Sequence, residues 1–497
     1  MMSASRTAFW YCSLTLLLWA IIPSLLFPNP PLDVVEGFAW GRELALGYTK
    51  HPPMQAWLLE LSYHLTLGHA FGAYWLSALS VAIGYACIWL LARRISLSDW
   101  QSFWAIVLTS VTFYFTLPLP EFNPNILQIP VWAGLILFFH RGLESGKLAD
   151  WILLGAVAAF GLYTKYFVAL LIGTIGLYAL TFSSVRKCLT TPGPWVAAIA
   201  CLLLFAPHVI WLVETDFIPL EYAASRSRGA EGLFDHFYNP VNFFLAQIAN
   251  HAGLFIISAL GLGLAGLKAL KSARLPSKIN ENDRYLLWFA FVPLAVVLLL
   301  SGVTGNEFKH MWGTPMFVLS GIVAARYLVP EHGFQTFKPA LAGAIIIQGI
   351  FLGVIAGQAV LEPLWKTKQS RIHYPGQETA DQLTNIWRDQ TKTPLRFVAG
   401  DMWTAAHVTL FSDDRPSMFL DHDLTLSPWI KTEDINEAGV LVVWRGDSKT
   451  PPPPIAQRYP DLRRQGSFER SYAYAKKMQP AVVNWAVIPP YQVAVEN

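Results

Sequence analysis

The chain has 497 residues, of which 54% are hydrophobic and only 14% charged, with a formal net charge of +3. Apolar runs long enough to cross a bilayer recur along it, so the class is a polytopic α-helical membrane protein rather than a soluble one. The small net charge excludes a nucleic-acid partner held by bulk electrostatics. Cys12, Cys87, Cys188 and Cys201 lie in or beside apolar runs without metal-ligand spacing, and read as packed free thiols.

Arg6 precedes an apolar run from Ala8 to Phe27 that is long and lacks a small-residue cleavage site, so it is expected to remain as the first span. The polar stretch Pro31–Leu65 follows. Its two leading prolines, Pro30 and Pro31, predict a helix from there to Leu46, ended by Gly47. Asp33, Glu36, Trp40 and Glu43 recur at helical spacing on one face, opposite Val34, Val35, Phe38, Ala39 and Leu46, as in a helix lying in the membrane interface. Lys50-His51-Pro52-Pro53 sits in the middle of the stretch.

Further spans are expected near 72–92, 101–118, 125–140, 150–164, 166–183, 195–213, 242–265, 285–302, 312–328 and 339–360, giving about eleven crossings. Arg93, Arg94, Arg141, Lys147, Arg186, Lys187 and the cluster Lys268, Lys271, Arg274, Lys278 and Arg284 then fall on one side. The positive-inside rule makes that side cytoplasmic, together with the N-terminus. The loop 28–71, with the loops at 119–124, 214–241 and 303–311, faces outward. Beyond 364 the composition turns polar. Leu395–Ala399, Ser417–Leu420, Gly439–Trp444 and Ala481–Ile488 read as strands, and Glu378–Gln390 and Met402–Phe411 as helices. The division expected is therefore a transmembrane domain, 1–364, and a small external α/β domain, 365–497. Pro451–Pro454 reads as a stiff polyproline link inside the latter. No Gly-rich phosphate loop is present, and the cytoplasmic loops are too short for a nucleotide-binding domain, which sets ATP-driven chemistry aside.

Acids and cations held together at a bilayer surface suit transfer of a group from a lipid phosphate to a hydroxyl. A carboxylate such as Asp33 can accept the proton of an attacking alcohol. The leaving phosphate needs fixed positive charge and hydrogen-bond donors, for which Lys50, His51, Arg226, Arg228, Lys309 and His310 are the outward-facing candidates. Each residue also has a plainer reading. Asp33 and Glu36 complement a helix dipole as well as they serve catalysis; Arg42 and Glu43 solvate a face; Lys50 and Lys309 snorkel. Glu60 and His64, four apart, form a polar stripe rather than a metal site. Glu121, Asn123 and Asn125 are expected turn formers between prolines. Lys165 interrupts apolar sequence, where a charge without a partner is costly.

The pattern Asp33-x-x-Glu36…Trp40-Gly-x-Glu43-Leu-x-Leu-Gly-Tyr48-x-Lys50-His51-Pro52-Pro53 resembles the first outer loop of bacterial family 39 glycosyltransferases of the GT-C superfamily, relatives of protein O-mannosyltransferases and the lipid A aminoarabinose transferase. The turn PEFNPN at 120–125, GLYTKY at 161–166 and FKHMWGTP at 308–315 follow in the same order, so the resemblance covers roughly 8–330. It implies a GT-C fold in a bacterial inner membrane with the α/β domain in the periplasm. The partners implied are a polyprenyl-phosphate sugar donor, an envelope glycolipid or protein acceptor, and membrane lipids. By position Asp33 matches the catalytic acid, and His51 falls where relatives place a group against the donor phosphate. Trp40, Tyr48, Glu121, Asn123, Lys165 and Trp312 are implied as lining the substrate pocket. Many members carry an adjacent Asp-Glu pair, but Val34 follows Asp33 here. This leaves open whether Glu36 replaces the missing acid, and with it whether a divalent cation takes part; no other cofactor is called for. The rival reading is a flippase or transporter of the same lipid-linked sugar. Such a protein places ionisable groups near the bilayer midplane, whereas here they concentrate in the outward loops.

Overall fold

The computed structural model describes residues 3–226, 229–272, 279–331, 334–446, 451, 453–459, 462 and 464–490. Among them, six helices are long and apolar enough to cross a membrane: Ala4–Leu26 (α1), Gly72–Arg94, Pro124–Ser145, Pro192–Glu214, Glu281–Thr304 and Phe337–Leu364. Two bent pairs, Val168–Thr181 with Ser183–Thr190 and Asp235–Asn250 with Ala252–Leu264, turn by 99° and 47°, and raise the number to eight if each pair is one span. Leu202, Leu203 and Leu204 on Pro192–Glu214, and Phe9, Trp10 and Leu14 on α1, face outward. Apolar surface on this scale is stable only in lipid. The protein is a multi-pass membrane protein with a mostly helical body.

Two of the expected spans take a different form. The run at 101–118 is helical only over Asp99–Ser110 and then breaks into a short 3-10 turn. There the hydroxyls of Thr109, Ser110 and Thr112 bond back to the carbonyls of Ala105, Val107 and Thr109, and Pro118 and Pro120 follow. The run at 312–328 is a 3-10 segment, His310–Phe317, followed by the helix Ser320–Leu328. Gly321 lets that helix approach closely, since a Cβ there would lie 2.0 Å from the Ala105 carbonyl oxygen.

The first outward loop folds as two helices, α2 (Leu32–Gly41) and α3 (Met54–Leu65). The first stops at Gly41, short of the expected Leu46, because the chain turns through Leu44 at φ 48°. Protein encloses α2 on its apolar side and along much of its polar one: Val34, Val35, Phe38 and Ala39 are fully buried, and Glu36 and Trp40 nearly so. It packs against α3 on one side and against the helix Met402–Phe411 on the other. Close crossing of α2 and α3 depends on two glycines four apart. A Cβ on Gly37 would lie 2.4 Å from Leu59 Cδ1, and one on Gly41 2.4 Å from the Ala56 carbonyl oxygen.

The C-terminal region carries a five-stranded sheet in the order β2-β1-β3-β5-β4, from Phe397–Gly400 (β1), Ser417–Leu420 (β2), Val440–Arg445 (β3), Gln465–Arg470 (β4) and Ala481–Ile488 (β5). β1 pairs in parallel with β2 and β3, and the other pairings are antiparallel. The strand period sorts the side chains: Val398, Met418, Leu441 and Val443 join the core of the helical body, while Phe397, Phe419, Val440 and Val442 form a second core with Ile430 and Ile435. Arg42 and Glu43, read as a solvated face, instead tie this region down. Arg42 Nε donates to the Arg415 carbonyl at 2.7 Å, and the Ser417 hydroxyl donates to Glu43 at 2.7 Å. The Arg415 guanidinium pairs with Glu60 at 2.5 Å, and Glu60 also meets His64 at 3.2 Å. From Pro453 the chain is helical through Arg458, not polyproline.

Candidate active site

Asp33 stands in the first turn of α2, where backbone N–H groups lack helical partners. Its own N–H is taken by Glu121 Oε1 at 3.2 Å, from the turn before Pro124–Ser145. Asn123 caps that span, its side-chain oxygen accepting the N–H groups of Asn125 and Ile126 at 3.0 and 3.3 Å. The same amide then donates through Nδ2 to Asp33 Oδ2 at 3.2 Å. Gln55 on α3 completes the frame, donating to the carbonyls of Asp33 and Phe122 at 2.9 and 3.0 Å. The turn residues thus hold the carboxylate as well as forming a turn.

Cations surround this acid. Lys50 pairs with Glu36 one helical turn from Asp33 and lies 5.9 Å over the Trp40 ring, which stacks on Tyr48 at 5.2 Å. Lys165, in extended conformation at the end of Leu148–Thr164, donates to Asn125 Oδ1 at 2.7 Å and sits 5.3 Å over Trp312. Arg371, from a short 3-10 turn after the last long helix, lies close enough to Asp33 and Glu121 to stabilise both carboxylates. Burial pushes the Asp33 pKa above its ordinary value, against the opposing influence of Asn123, Lys50, Arg371 and Lys165. Burial, then the Asp33 charge, raises Glu121 to about 7. Burial also raises Glu36 to about 7, with Lys50 opposing. Burial lowers Lys165 to about 7, with Asp33 opposing.

His51 lies edge-on to Tyr222 at 6.1 Å. Burial, then Lys165, Lys50 and Arg226, depress its pKa to about 3, so near neutrality it offers an N–H rather than a charge. Arg226 ends the helix Ile218–Arg226 and is exposed; Arg228 lies outside the described residues. Lys309 is paired with Glu307 at 2.9 Å. His310 is exposed, and its carbonyl is held by Tyr114 and Gln247 at 2.6 and 3.1 Å. The structure therefore gathers Asp33, Glu36, Lys50, Glu121, Asn123 and Lys165, with Trp312 behind Lys165 and Trp40 and Tyr48 beneath Lys50. Arg371 and Gln55 join them without having been singled out from sequence. Gln55 gives a faint signal, a polar residue inside an apolar helix; Arg371 gives none. No group of three or more His, Cys, Asp or Glu placed to hold a metal ion occurs among the described residues. A half-buried carboxylate with an amide on one oxygen can take a proton, and the cations on several sides of it can stabilise a leaving phosphate in the same place.

A family model described as dolichyl-phosphate-mannose-protein mannosyltransferase matches residues 50–211. The chain is 24% identical over 454 residues to the lipopolysaccharide core galacturonosyltransferase RgtB of Rhizobium johnstonii, covering 86% of this chain and 85% of the relative. It is also 24% identical over 352 residues to the undecaprenyl phosphate-alpha-4-amino-4-deoxy-L-arabinose arabinosyl transferase of Erwinia tasmaniensis, 67% of this chain and 58% of the relative. The solved structure of ArnT from Cupriavidus metallidurans bound to undecaprenyl phosphate aligns with a TM-score of 0.60 at 12% identity, over 97% of this chain and 98% of that one. With the helical body and small sheet described above, these likenesses support the GT-C superfamily.

Proposed function

We propose that the protein is an integral-membrane glycosyltransferase that moves a sugar from a polyprenyl phosphate to a hydroxyl of an envelope acceptor, lipopolysaccharide or another glycolipid, on the outer face of the inner membrane. The observation that carries the reading is the half-buried Asp33 carboxylate, bonded by Asn123 and set among Lys50, Lys165 and Arg371. Its support from relatives is that those covering most of the chain are named for sugar transfer to the lipopolysaccharide core. Asp33 takes the acceptor hydroxyl proton as that oxygen attacks the anomeric carbon. The bond from that carbon to the phosphate oxygen breaks on the opposite side, the configuration inverts, and the carrier leaves as its phosphate anion. Lys50 and Lys165 meet the developing charge, and neutral His51 adds a donor. Glu36 positions Lys50. Lipid mass spectrometry of envelope glycolipids from cells with and without the protein tests this, the expected difference being one sugar residue on one class of glycolipid.

The same reading predicts a basic limb in the pH profile. Lys165 loses its proton as pH rises through about 7 in the free protein, so kcat/KM for the donor should fall above that pH. Lys165→Arg, which keeps its charge, should remove this limb; an unchanged limb would assign it to another group. At low pH, activity should fall as Asp33 takes up a proton, above the ordinary aspartate range because its pKa is raised.

The orientation belongs to this reading too, with about eleven crossings, a cytoplasmic N-terminus and 365–497 as a periplasmic α/β domain. It rests on the Lys/Arg asymmetry of the loops. In a background without native cysteines, Gln377→Cys should react with an impermeant thiol reagent in intact spheroplasts and Lys268→Cys should not. The reverse pattern would defeat the orientation.

A further inference from the structure

A cleft of 450 Å³ opens beside the candidate active site, between the first outward loop and the C-terminal sheet. Leu32 and Lys50 line it from the loop; Arg371, Asp401, Asp421 and Arg445 line it from the C-terminal region, with Trp403 as an aromatic wall. The placement of three of these follows from topology. Asp401 directly follows β1, Asp421 directly follows β2, and Arg445 ends β3, so all stand at the carboxyl ends of the three mutually parallel strands. The strand order reverses at β1, since the chain goes from β1 to β2 on one side and returns to β3 on the other. Open α/β sheets bind ligands at such a position. This sheet presents that edge to Lys50.

The charges in the cleft are unevenly spent. Asp401 is occupied, capping the helix Met402–Phe411 through the N–H groups of Trp403 and Thr404 and pairing with Arg445 at 3.3 Å. Lys50 is paired with Glu36. Arg371 and Asp421 have no side-chain ion pair among the described residues, and face the cleft from opposite elements. The backbone supports a special role for Asp421: it and His422 hold φ of 49° and 60°, two successive left-handed non-glycine residues directly after a strand. Such conformations gather at ligand sites. An unpaired carboxylate, an unpaired guanidinium and an aromatic face are the groups that recognise the hydroxyls and ring of a sugar.

We propose that the C-terminal α/β region supplies the saccharide subsite of the enzyme, in this cleft, with Asp421 and Arg371 as the residues that read the sugar. The proposal rests on the glycosyl-transfer reading above for what the site serves, and adds that specificity is carried by the C-terminal sheet rather than the transmembrane helices. The sugar can come from the donor or from the acceptor; the chemistry is shared.

The test uses the full chain in lipid nanodiscs and the variants Asp421→Asn and Arg371→Gln. Asn tolerates the left-handed backbone at 421, and the 371 carbonyl that accepts the Asn29 amide is retained. Three probes are compared by equilibrium binding: sugar-free polyprenyl phosphate, the sugar-loaded carrier, and deacylated lipopolysaccharide core oligosaccharide. Both variants should bind one of the two saccharide probes about tenfold more weakly or worse, as expected for losing a hydrogen bond to a charged group, while Asp421→Asn, which removes none of the cations around Asp33, should bind sugar-free carrier like the wild type. Loss on the loaded carrier assigns the cleft to the donor sugar; loss on the oligosaccharide assigns it to the acceptor. Wild-type affinity for both saccharides in both variants would overturn the proposal, as would a wild type that binds neither. If the variants bind more weakly as expected but the wild type transfers no sugar, the function is wrong and the subsite stands.

Discussion

Asp33→Asn is expected to lower sugar transfer by about 10²–10⁴-fold, the usual range for losing a general base, with membrane insertion and donor binding nearly unchanged. Asn keeps the shape of Asp, so the backbone N–H bond to Glu121 and the packing of α2 should persist. It cannot take the acceptor proton. An aspartate serving only the α2 dipole would give the opposite result, because Asn serves at a helix start about as well as Asp and the exchange would leave rates within a small factor. Glu36→Gln separates the two acids. It breaks the ion pair with Lys50 but leaves Asp33 in place, so a partial loss with a raised donor KM fits positioning. Complete loss would make Glu36 a second reacting acid.

Gly41→Val should be nearly as damaging to transfer by a different route. Its Cβ would lie 2.4 Å from the Ala56 carbonyl oxygen and 2.9 Å from Glu60 Cβ, and the carbonyl is backbone that cannot swing aside. Forcing α2 and α3 apart should destabilise the fold by about 1–3 kcal/mol, the usual range for overpacking. It should also move Asp33 relative to Gln55 and Asn123, which approach it from α3 and from the turn before Pro124–Ser145. Thermal unfolding in detergent and transfer should therefore fall together, in contrast to Asp33→Asn. Gly176→Val, where nothing lies within 4 Å of the added Cβ, is the control and should leave both near wild type.

Sequence patterns carried local structure further than tertiary placement. Ser417–Leu420, Ala481–Ile488 and Met402–Phe411 begin and end in the structure where their patterns put them, because apolar runs bounded by turn residues are a local signal. β4 was missed: Gln465–Arg470 is a polar edge strand with no fully buried position, so it lacks the alternation that betrays a half-buried strand. The helix expected over 101–118 ends instead at Ser110, since hydropathy registers apolar content and not the hydroxyls that bond back at its end. The helix α2 was legible as amphipathic, but what packs on it was not, since one of its neighbours is the helix Met402–Phe411 of the C-terminal region. The acids and Lys50 were legible because they sit in one short stretch; Arg371, Asp421 and Arg445 reach it only through the fold.

The central claim is that this chain breaks a sugar–phosphate bond with Asp33 as base. Its most direct test is single-turnover transfer by the purified protein, reconstituted with sugar-loaded polyprenyl phosphate and lipopolysaccharide and read by mass spectrometry. The wild type should yield free polyprenyl phosphate and acceptor heavier by one sugar residue in equal amounts, and Asp33→Asn neither. Full transfer by Asp33→Asn, or a wild type that carries the intact donor across the bilayer without releasing its sugar, would contradict the account.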